Sequence, residues 1–309
     1  MKMIKADAVF EGGGVRAIAF AGAVCCFEEY GYKWQRVAGT SAGAIVAALL
    51  AAGYTGRELK QIIEDVDYLK FMDKDRIQSV PLVGGLLGLI IHKGLNCGDY
   101  MEQWIDSLLK AKGIARFRDV SIRRHSRLKI IAADVTRKEI MILPDDLSRY
   151  GMDPMDFEIA RAVRMSASIP FYFNPVPLEY PGGRSLVVDG GILSNFPVWL
   201  FDVKGIPRWP TIGFRLVGGK PRQCAQCGKS LFSYALDIAE TIIDRNDEMY
   251  LNDKDAVRTI SIPTFGIKAT RFDLTREECR RLYESGYNKA KEFIGSWDFD
   301  RYILRYRRR

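Results

Sequence analysis

The chain has 309 residues, of which 48% are hydrophobic and 27% charged, a balance typical of a globular protein with a sizeable buried core. The net charge of +8 is modest and partly confined to residues 123–129 and 301–309. Such a basic tail suggests an anionic surface, either phospholipid headgroups or nucleic acid, and of the two we expect the lipid surface and no nucleic-acid partner. We also expect no signal peptide or membrane-spanning run, and six scattered cysteines favour reduced thiols in a cytoplasmic protein.

The first predicted elements place a serine at a sharp turn. A strand is predicted at residues 7–10, ending at EGGG (11–14), and a second at residues 34–39. The second runs into GTSAG (39–43), where Ser41 opens the next helix. In Gly-x-Ser-x-Gly, glycines permit close approach, and the serine hydroxyl projects at a helix start that favours a developing anion. A tight turn of small residues is the alternative interpretation.

The remaining elements continue an alternation of strands and helices. Helices are predicted at residues 16–30, 56–66, 97–113, 156–170, 231–247 and 275–297, and strands at 128–136, 138–145, 184–191, 211–217 and 257–263. Thr55-x-x-Glu58 and Thr275-x-x-Glu278 are capping boxes that start two of the helices. The alternation predicts an α/β layered sheet in one domain, with a catalytic part at 6–205 and an α/β completion at 206–309.

Asp189 is the predicted acid–base partner of Ser41. His92 ends an apolar run and His125 lies in a basic cluster, and neither has an acidic partner in the chain order of an α/β-hydrolase triad. We interpret both as structural or solvated. Asp189 ends a predicted strand, two glycines follow it, and a partly desolvated carboxylate has a raised pKa that makes it a better base. An ordinary Asp-Gly turn is the alternative.

Three glycine motifs follow predicted strands, and in an open α/β sheet the chemistry collects at the carboxyl ends of the strands. We therefore expect them to converge. EGGGVRA (11–17) also fits the dinucleotide pattern Gly-x-Gly-x-x-Ala, which needs an acidic residue near the end of the next strand. Residues 37–40 contain none, so nucleotide binding is the second interpretation. The first is that the N–H groups of Gly13 and Gly14 form an oxyanion hole.

In this order, EGGGVR (11–16), GTSAG (39–43) and DGG (189–191) resemble the motifs of the patatin-like phospholipase family, as does the stretch at 164–173. The resemblance covers about residues 6–205. It implies a three-layer α/β/α fold with a mostly parallel sheet, a Ser-Asp dyad without histidine, no metal or cofactor, and cleavage of lipid acyl esters. One departure is Ala17, where the family pattern often ends in glycine.

Carried over residue by residue, the resemblance implies a role for each motif position. The implied roles are catalysis by Ser41 and Asp189, an oxyanion hole at Gly12, Gly13, Gly14 and Ala42, and support from Gly39, Gly43, Gly190, Gly191 and Arg16. Arg16 could position a phosphate, support the loop or form a surface salt bridge. The implied function is a phospholipase A-type enzyme or esterase that acts on a lipid or membrane-surface substrate through an acyl-enzyme. A nucleotide-binding enzyme and an inactive scaffold of the same fold are the alternatives.

Three further segments carry separate expectations. The apolar, glycine-rich run at residues 80–94 predicts a mobile cap near the active site, with a buried segment as the alternative. Cys224-x-x-Cys227 is half of a zinc motif without a second pair, so no metal site is expected. The basic tail at 301–309 suggests peripheral contact with an anionic membrane, with a solvated, disordered terminus as the alternative.

Overall fold

The computed structural model describes residues 3–74, 91–218 and 252–307, together with Tyr234, Ile238 and Thr241. Three predictions therefore fall outside the described residues: most of the cap at 80–94, the Cys224-x-x-Cys227 motif, and nearly all of the helix at 231–247. Within the described ranges, no helix is both long and apolar enough to cross a bilayer.

The strands of the main sheet are β1 (Ile4–Phe10), β2 (Tyr32–Thr40), β6 (Leu128–Asp134), β7 (Glu139–Leu143), β9 (Val176–Tyr180), β10 (Gly183–Asp189), β11 (Thr211–Val217) and β12 (Thr259–Pro263). They form one eight-stranded sheet in the order β12-β11-β1-β2-β6-β10-β9, with β7 also paired to β6. Two small pairs lie outside it, β3 (Gly94–Asn96) with β8 (Phe171–Phe173), and β4 (Ser121–Ile122) with β5 (His125–Ser126).

The sheet is mixed. From β12 to β6 the neighbouring strands are parallel, whereas β7 and β10 are antiparallel to β6, and β9 is antiparallel to β10. The predicted hairpin at residues 128–145 is confirmed as β6 and β7. The predicted α/β class is confirmed, and the parallel part of the sheet carries the glycine loop and Ser41 at its carboxyl end.

The helices are α1 (Ile18–Glu29), α2 (Ala42–Ala51), α3 (Gly56–Asp65), α4 (Asp99–Ala111), α5 (Ile159–Ser166), α6 (Asp253–Val257), α7 (Arg276–Ser296) and α8 (Phe299–Tyr306). Both predicted capping boxes are confirmed at the starts of α3 and α7. Helices α1 and α2 are rich in alanine and buried on almost every side, which lets them pack closely on the sheet.

The two faces of the sheet carry separate cores. Ala8, Phe10 and Val37 belong to the large core shared with the helices, and the alternate residues Val9 and Ala38 belong to a smaller one. Phe196, Val198 and Phe201 complete the smaller core. Successive side chains of a strand point to opposite faces of the sheet, so this alternation indicates a sheet that is covered on both faces.

Some sequence expectations differ from the structure. The predicted helix at 16–30 is divided into a 3-10 turn (Gly14–Ala17) and α1, and the helix at 156–170 is shortened to α5. Within the described part of the basic tail, the residues up to Tyr306 belong to α8, which buries Tyr302. Tyr302 and Tyr306, four residues apart, lie on one face of this helix, which the charge pattern alone does not reveal.

Candidate active site

Ser41 lies at the turn between β2 and α2, in a backbone conformation that non-glycine residues rarely adopt (φ 54°, ψ −128°). The backbone packs so closely around Ser41 that Gly39 and Gly43 leave no room for a side chain. A Cβ on Gly39 would lie 2.2 Å from the carbonyl oxygen of Gly43, and a Cβ on Gly43 would lie 2.6 Å from that of Phe10. The strained turn predicted from Gly-x-Ser-x-Gly is therefore present, with the serine at the N-terminus of α2.

Strands β2 and β10 meet end to end along one edge of β6, while β7 occupies the other edge. Thr40 of β2 pairs with Ile131, and Asp189 of β10 pairs with the next residue, Ala132. Because β2 is parallel to β6 and β10 is antiparallel, their carboxyl ends face each other. The expected convergence of strand ends is present, but Asp189 reaches it from an opposed strand rather than from a parallel neighbour.

Ser166, the last residue of α5, holds this junction together. Its hydroxyl donates to the carbonyl oxygen of Ile131 (2.5 Å) and accepts the N–H of Ser41 (2.9 Å). The hydroxyl thus bridges β6 to the turn at the point where β2 ends. Sequence reasoning gave Ser166 no role, although it lies in the stretch at 164–173 that carries part of the family resemblance.

The Asp189 carboxyl is fully buried beside the Ser41 hydroxyl. Oδ1 accepts the N–H of Gly191 (2.7 Å), and the backbone N–H of Asp189 donates to the carbonyl oxygen of Ser168 (2.9 Å). Burial raises the pKa of Asp189 to about 7, while the Ser41 hydroxyl and the Gly191 N–H lower it. Among the described residues, Oδ2 accepts no formed hydrogen bond. One carboxylate oxygen is therefore fixed, and the other is available to the serine.

The glycine loop after β1 packs against Ser41. A Cβ on Gly12 would lie 3.1 Å from the Cβ of Ser41, and the Gly12 N–H donates to the carbonyl oxygen of Asn195 (3.1 Å). Within the described ranges, the N–H groups of Gly13 and Gly14 have no acceptor. The N–H of Ala42, the first of α2, has none inside its helix. Three of the four expected donors thus have no acceptor among the described residues, whereas the fourth, the N–H of Gly12, is occupied.

Buried charges hold the glycine loop. The Glu11 carboxylate accepts the N–H of Leu216 (2.6 Å) and Nε of Arg215 (3.4 Å), and burial raises its pKa to about 7 although Arg215 and Arg16 lower it. Arg16 is buried, and its Nε donates to the carbonyl oxygen of Gly13 (3.1 Å). Of the three roles left open for Arg16, loop support fits this geometry. Glu11 and Arg215 were missed because 204 residues separate them.

Arg164 supports the segment that lies against Asp189. Its guanidinium is buried and donates to the hydroxyl of Ser168 and to the carbonyl oxygens of Cys97 and Asn174. Burial lowers its pKa to about 10, so it stays charged at neutral pH. Ser168 in turn accepts the backbone N–H of Asp189 at its carbonyl oxygen. A buried cation therefore holds the segment against which Asp189 rests.

No histidine is among the groups that shift the pKa of Asp189. His125 lies exposed in the β4–β5 pair, opposite Ile122 and before the amino end of β6. Across the ranges that the structure describes, no group of three His, Cys, Asp or Glu side chains could hold a metal ion.

Comparison with known proteins identifies relatives over most of the chain. The family described as patatin-like phospholipase matches residues 8–202. An uncharacterized protein of Bacillus subtilis, YqhO, is 40% identical over 294 residues, which cover 95% of this chain and 99% of YqhO. A probable lipid hydrolase of Invertebrate iridescent virus 6, 463L, is 25% identical over 195 residues, which cover 62% of this chain and 61% of 463L.

Solved structures share the fold at low identity. VipD from Legionella pneumophila has a TM-score of 0.56 at 17% identity, with 96% of this chain and 67% of VipD covered. The type III effector protein ExoU has a TM-score of 0.51 at 17% identity, and the match covers 98% of this chain but only 53% of ExoU.

Proposed function

The chain belongs to the patatin-like phospholipase family, and on that premise we propose that it hydrolyses carboxylic esters of lipids through a dyad of Ser41 and Asp189. One observation carries the proposal. A serine on a strained strand-to-helix turn lies beside a fully buried carboxylate whose second oxygen has no other formed hydrogen bond among the described residues. The substrate is a lipid or a membrane-surface ester, of phospholipase A type or a simpler ester, and no nucleic acid takes part.

In the first step, Asp189 in its carboxylate form accepts the proton of the Ser41 hydroxyl. The serine Oγ forms a bond to the ester carbonyl carbon, and the carbonyl oxygen becomes an oxyanion. The N–H groups of Gly13, Gly14 and Ala42 are the donors that we assign to this oxyanion. We assign Gly12 a different task, close contact with Ser41, because its own N–H is bound to Asn195.

In the second half, the bond from carbon to the leaving oxygen breaks, and the protonated Asp189 returns its proton to the departing alcohol. The acyl-enzyme on Ser41 is then attacked by water, whose proton goes to Asp189. The serine leaves with that proton, and the fatty acid is released. The raised pKa of Asp189 suits this task, because a base near neutrality can both accept and return a proton.

The proposal is tested by replacing each member of the dyad. Ser41→Ala and Asp189→Asn should each lower turnover of a soluble short-chain ester by roughly 10³ or more, and the double variant should be little worse because the two residues act as a unit. Ser107→Ala and Asp65→Asn, both at exposed helical positions, are the matched controls and should retain full turnover. Near-normal turnover in Ser41→Ala would place the activity at another site, and a wild-type chain without turnover would leave only a scaffold.

A further inference from the structure

Four large apolar side chains are exposed on segments that border the candidate active site: Ile91 (50%), Phe171 (38%), Leu193 (48%) and Phe265 (50%). Phe171 follows Ser168, which accepts the Asp189 N–H, by three residues. Leu193 follows Asp189 by four residues, and Phe265 follows the carboxyl end of β12 by two. Ile91 precedes Gly94, which pairs with Phe171. We call these four residues the apolar rim.

Two members of the apolar rim are held in strained backbone. Phe171 has φ 65° and Phe265 has φ 54°, in the left-handed region that bulky residues avoid. In the isolated protein, each of these residues costs free energy twice, once for the strained backbone and once for the aromatic ring exposed to water. Such strain concentrates at sites of function, because the surrounding structure is selected to hold it.

The rim segments contact one another around the glycine loop. Ala269 accepts the N–H of Val15 at its carbonyl oxygen (3.0 Å), which fixes the segment after Phe265 against the loop. Farther along that segment, Phe272 stacks on Tyr172, the neighbour of Phe171, with ring centroids 5.5 Å apart. The segments that carry the exposed rings of Phe171 and Phe265 are therefore connected to each other at the carboxyl end of the sheet.

Basic groups accompany the exposed rings. The Arg281 guanidinium lies 4.8 Å from the centroid of the Phe265 ring, and its residue is exposed. Lys93 is exposed beside Gly94, the partner of Phe171, and also has positive φ (63°). Apolar rings flanked by cations match the layering of an anionic bilayer, where headgroup phosphates lie above the acyl chains.

We propose that the apolar rim inserts into the surface of an anionic phospholipid bilayer and so presents lipid esters to Ser41. The inference rests on the proposed function, which it deepens by naming the surface that meets the substrate. It differs from the contact predicted for the basic tail. Helix α8 packs beside Val257 and Thr259, at the amino end of β12, and Arg307 is engaged with Asp202. The described residues of the tail, up to Arg307, thus lie at the end of the sheet opposite to Ser41.

The test measures sedimentation with vesicles of phosphatidylcholine and phosphatidylglycerol, using the full chain with Ser41→Ala so that no lipid is consumed. Phe171→Asn and Phe265→Asn remove the rings, and asparagine tolerates left-handed backbone. Each should weaken vesicle binding about tenfold, and the pair should weaken it further. Ile206→Asn and Leu304→Asn, which replace side chains 56% and 59% exposed at the other end of the sheet, should bind as the parent does.

The inference would be overturned if the parent chain did not bind these vesicles, which is the result that a protein partner for the rim predicts. It would also be overturned if the rim variants bound vesicles as well as the controls do, or if the double variant Arg301→Gln, Arg305→Gln lost binding. Should the Asn variants unfold, Phe171→Trp keeps an aromatic ring. Brominated lipid should then quench its added fluorescence but not that of Leu304→Trp, and equal quenching would contradict insertion. Because this assay measures vesicle binding without turnover, a failure of the membrane-insertion proposal can be distinguished from a failure of the proposed dyad.

Discussion

At the scale of single residues, the candidate active site contains two buried carboxyls with similar pKa values and different hydrogen-bond partners. Burial raises the pKa of both Asp189 and Glu11 to about 7. Glu11 is bound to Arg215 and to a backbone N–H of β11, so its oxygens are committed to holding the glycine loop. Asp189 keeps one oxygen for Ser41. The partners, rather than the acidity, therefore separate the structural carboxyl from the proposed base.

The pH dependence of turnover follows from the raised pKa of Asp189. Only the carboxylate can accept the serine proton, so kcat/KM on a soluble ester should rise with pH and be half-maximal near pH 7. The double variant His92→Gln, His125→Gln should show the same profile. A rising limb that disappears in the histidine variant would indicate a histidine base instead.

The same pKa shift predicts a change in stability. The folded chain keeps a proton on Asp189 that the unfolded chain releases above its ordinary pKa of 3.8, so this group lowers stability as pH rises from about 4 to about 7. Asp189→Asn removes that effect. Its Tm should exceed that of the wild type by a few degrees at pH 8, and the difference should shrink at pH 5. Equal Tm values at both pH values would show that the carboxyl is not desolvated.

At the scale of elements, local patterns predicted the starts of α3 and α7 and the turn at Ser41, because each depends on residues within a few positions of one another. The direction of β10 could not be predicted in this way. Its sequence specifies an extended, buried strand but not which edge of β6 it joins. The hydrogen bond from Ser166 to Ile131 and the pairing of Glu11 with Arg215 were not predicted for the same reason, because both form only when segments distant in the sequence meet.

Helices α1 and α7 pack through two glycines. A Cβ on Gly286 of α7 would lie 1.8 Å from the carbonyl oxygen of Ala19, and a Cβ on Gly22 of α1 would lie 1.9 Å from that of Tyr283. Gly286→Ala should therefore force the helices apart and lower Tm by several degrees, as overpacking does. Gly295→Ala near the end of the same helix meets nothing within 4 Å and should leave Tm unchanged or slightly raised. Equal effects of the two substitutions would contradict close packing.

At the scale of the whole molecule, the family match ends at residue 202, yet the sheet does not. β11 lies between β12 and β1, Arg215 and Leu216 hold Glu11, and α7 covers α1. We therefore propose that residues 206–309 complete the catalytic part rather than form a separate unit.

Removing the C-terminal part tests this unity. A chain that ends at residue 205 loses β11 and β12, the two strands on one side of β1, and leaves Glu11 without Arg215 and Leu216. It should therefore show no cooperative thermal transition and no ester turnover. Thermal unfolding of the truncated chain is measured by circular dichroism and compared with that of the full chain in the same buffer. A truncated chain that melts cooperatively and keeps turnover would establish residues 6–205 as independent.

The dyad itself is tested most directly by a fluorophosphonate, which reacts with a serine that an adjacent base activates. The full-length protein should gain one phosphonyl group, and peptide mapping should place it on Ser41. Labelling should be absent in Ser41→Ala and at least about 10³ slower in Asp189→Asn, yet unchanged in His92→Gln, His125→Gln. A label on any other residue, or labelling of Ser41 at the same rate without the Asp189 carboxylate, would contradict the account.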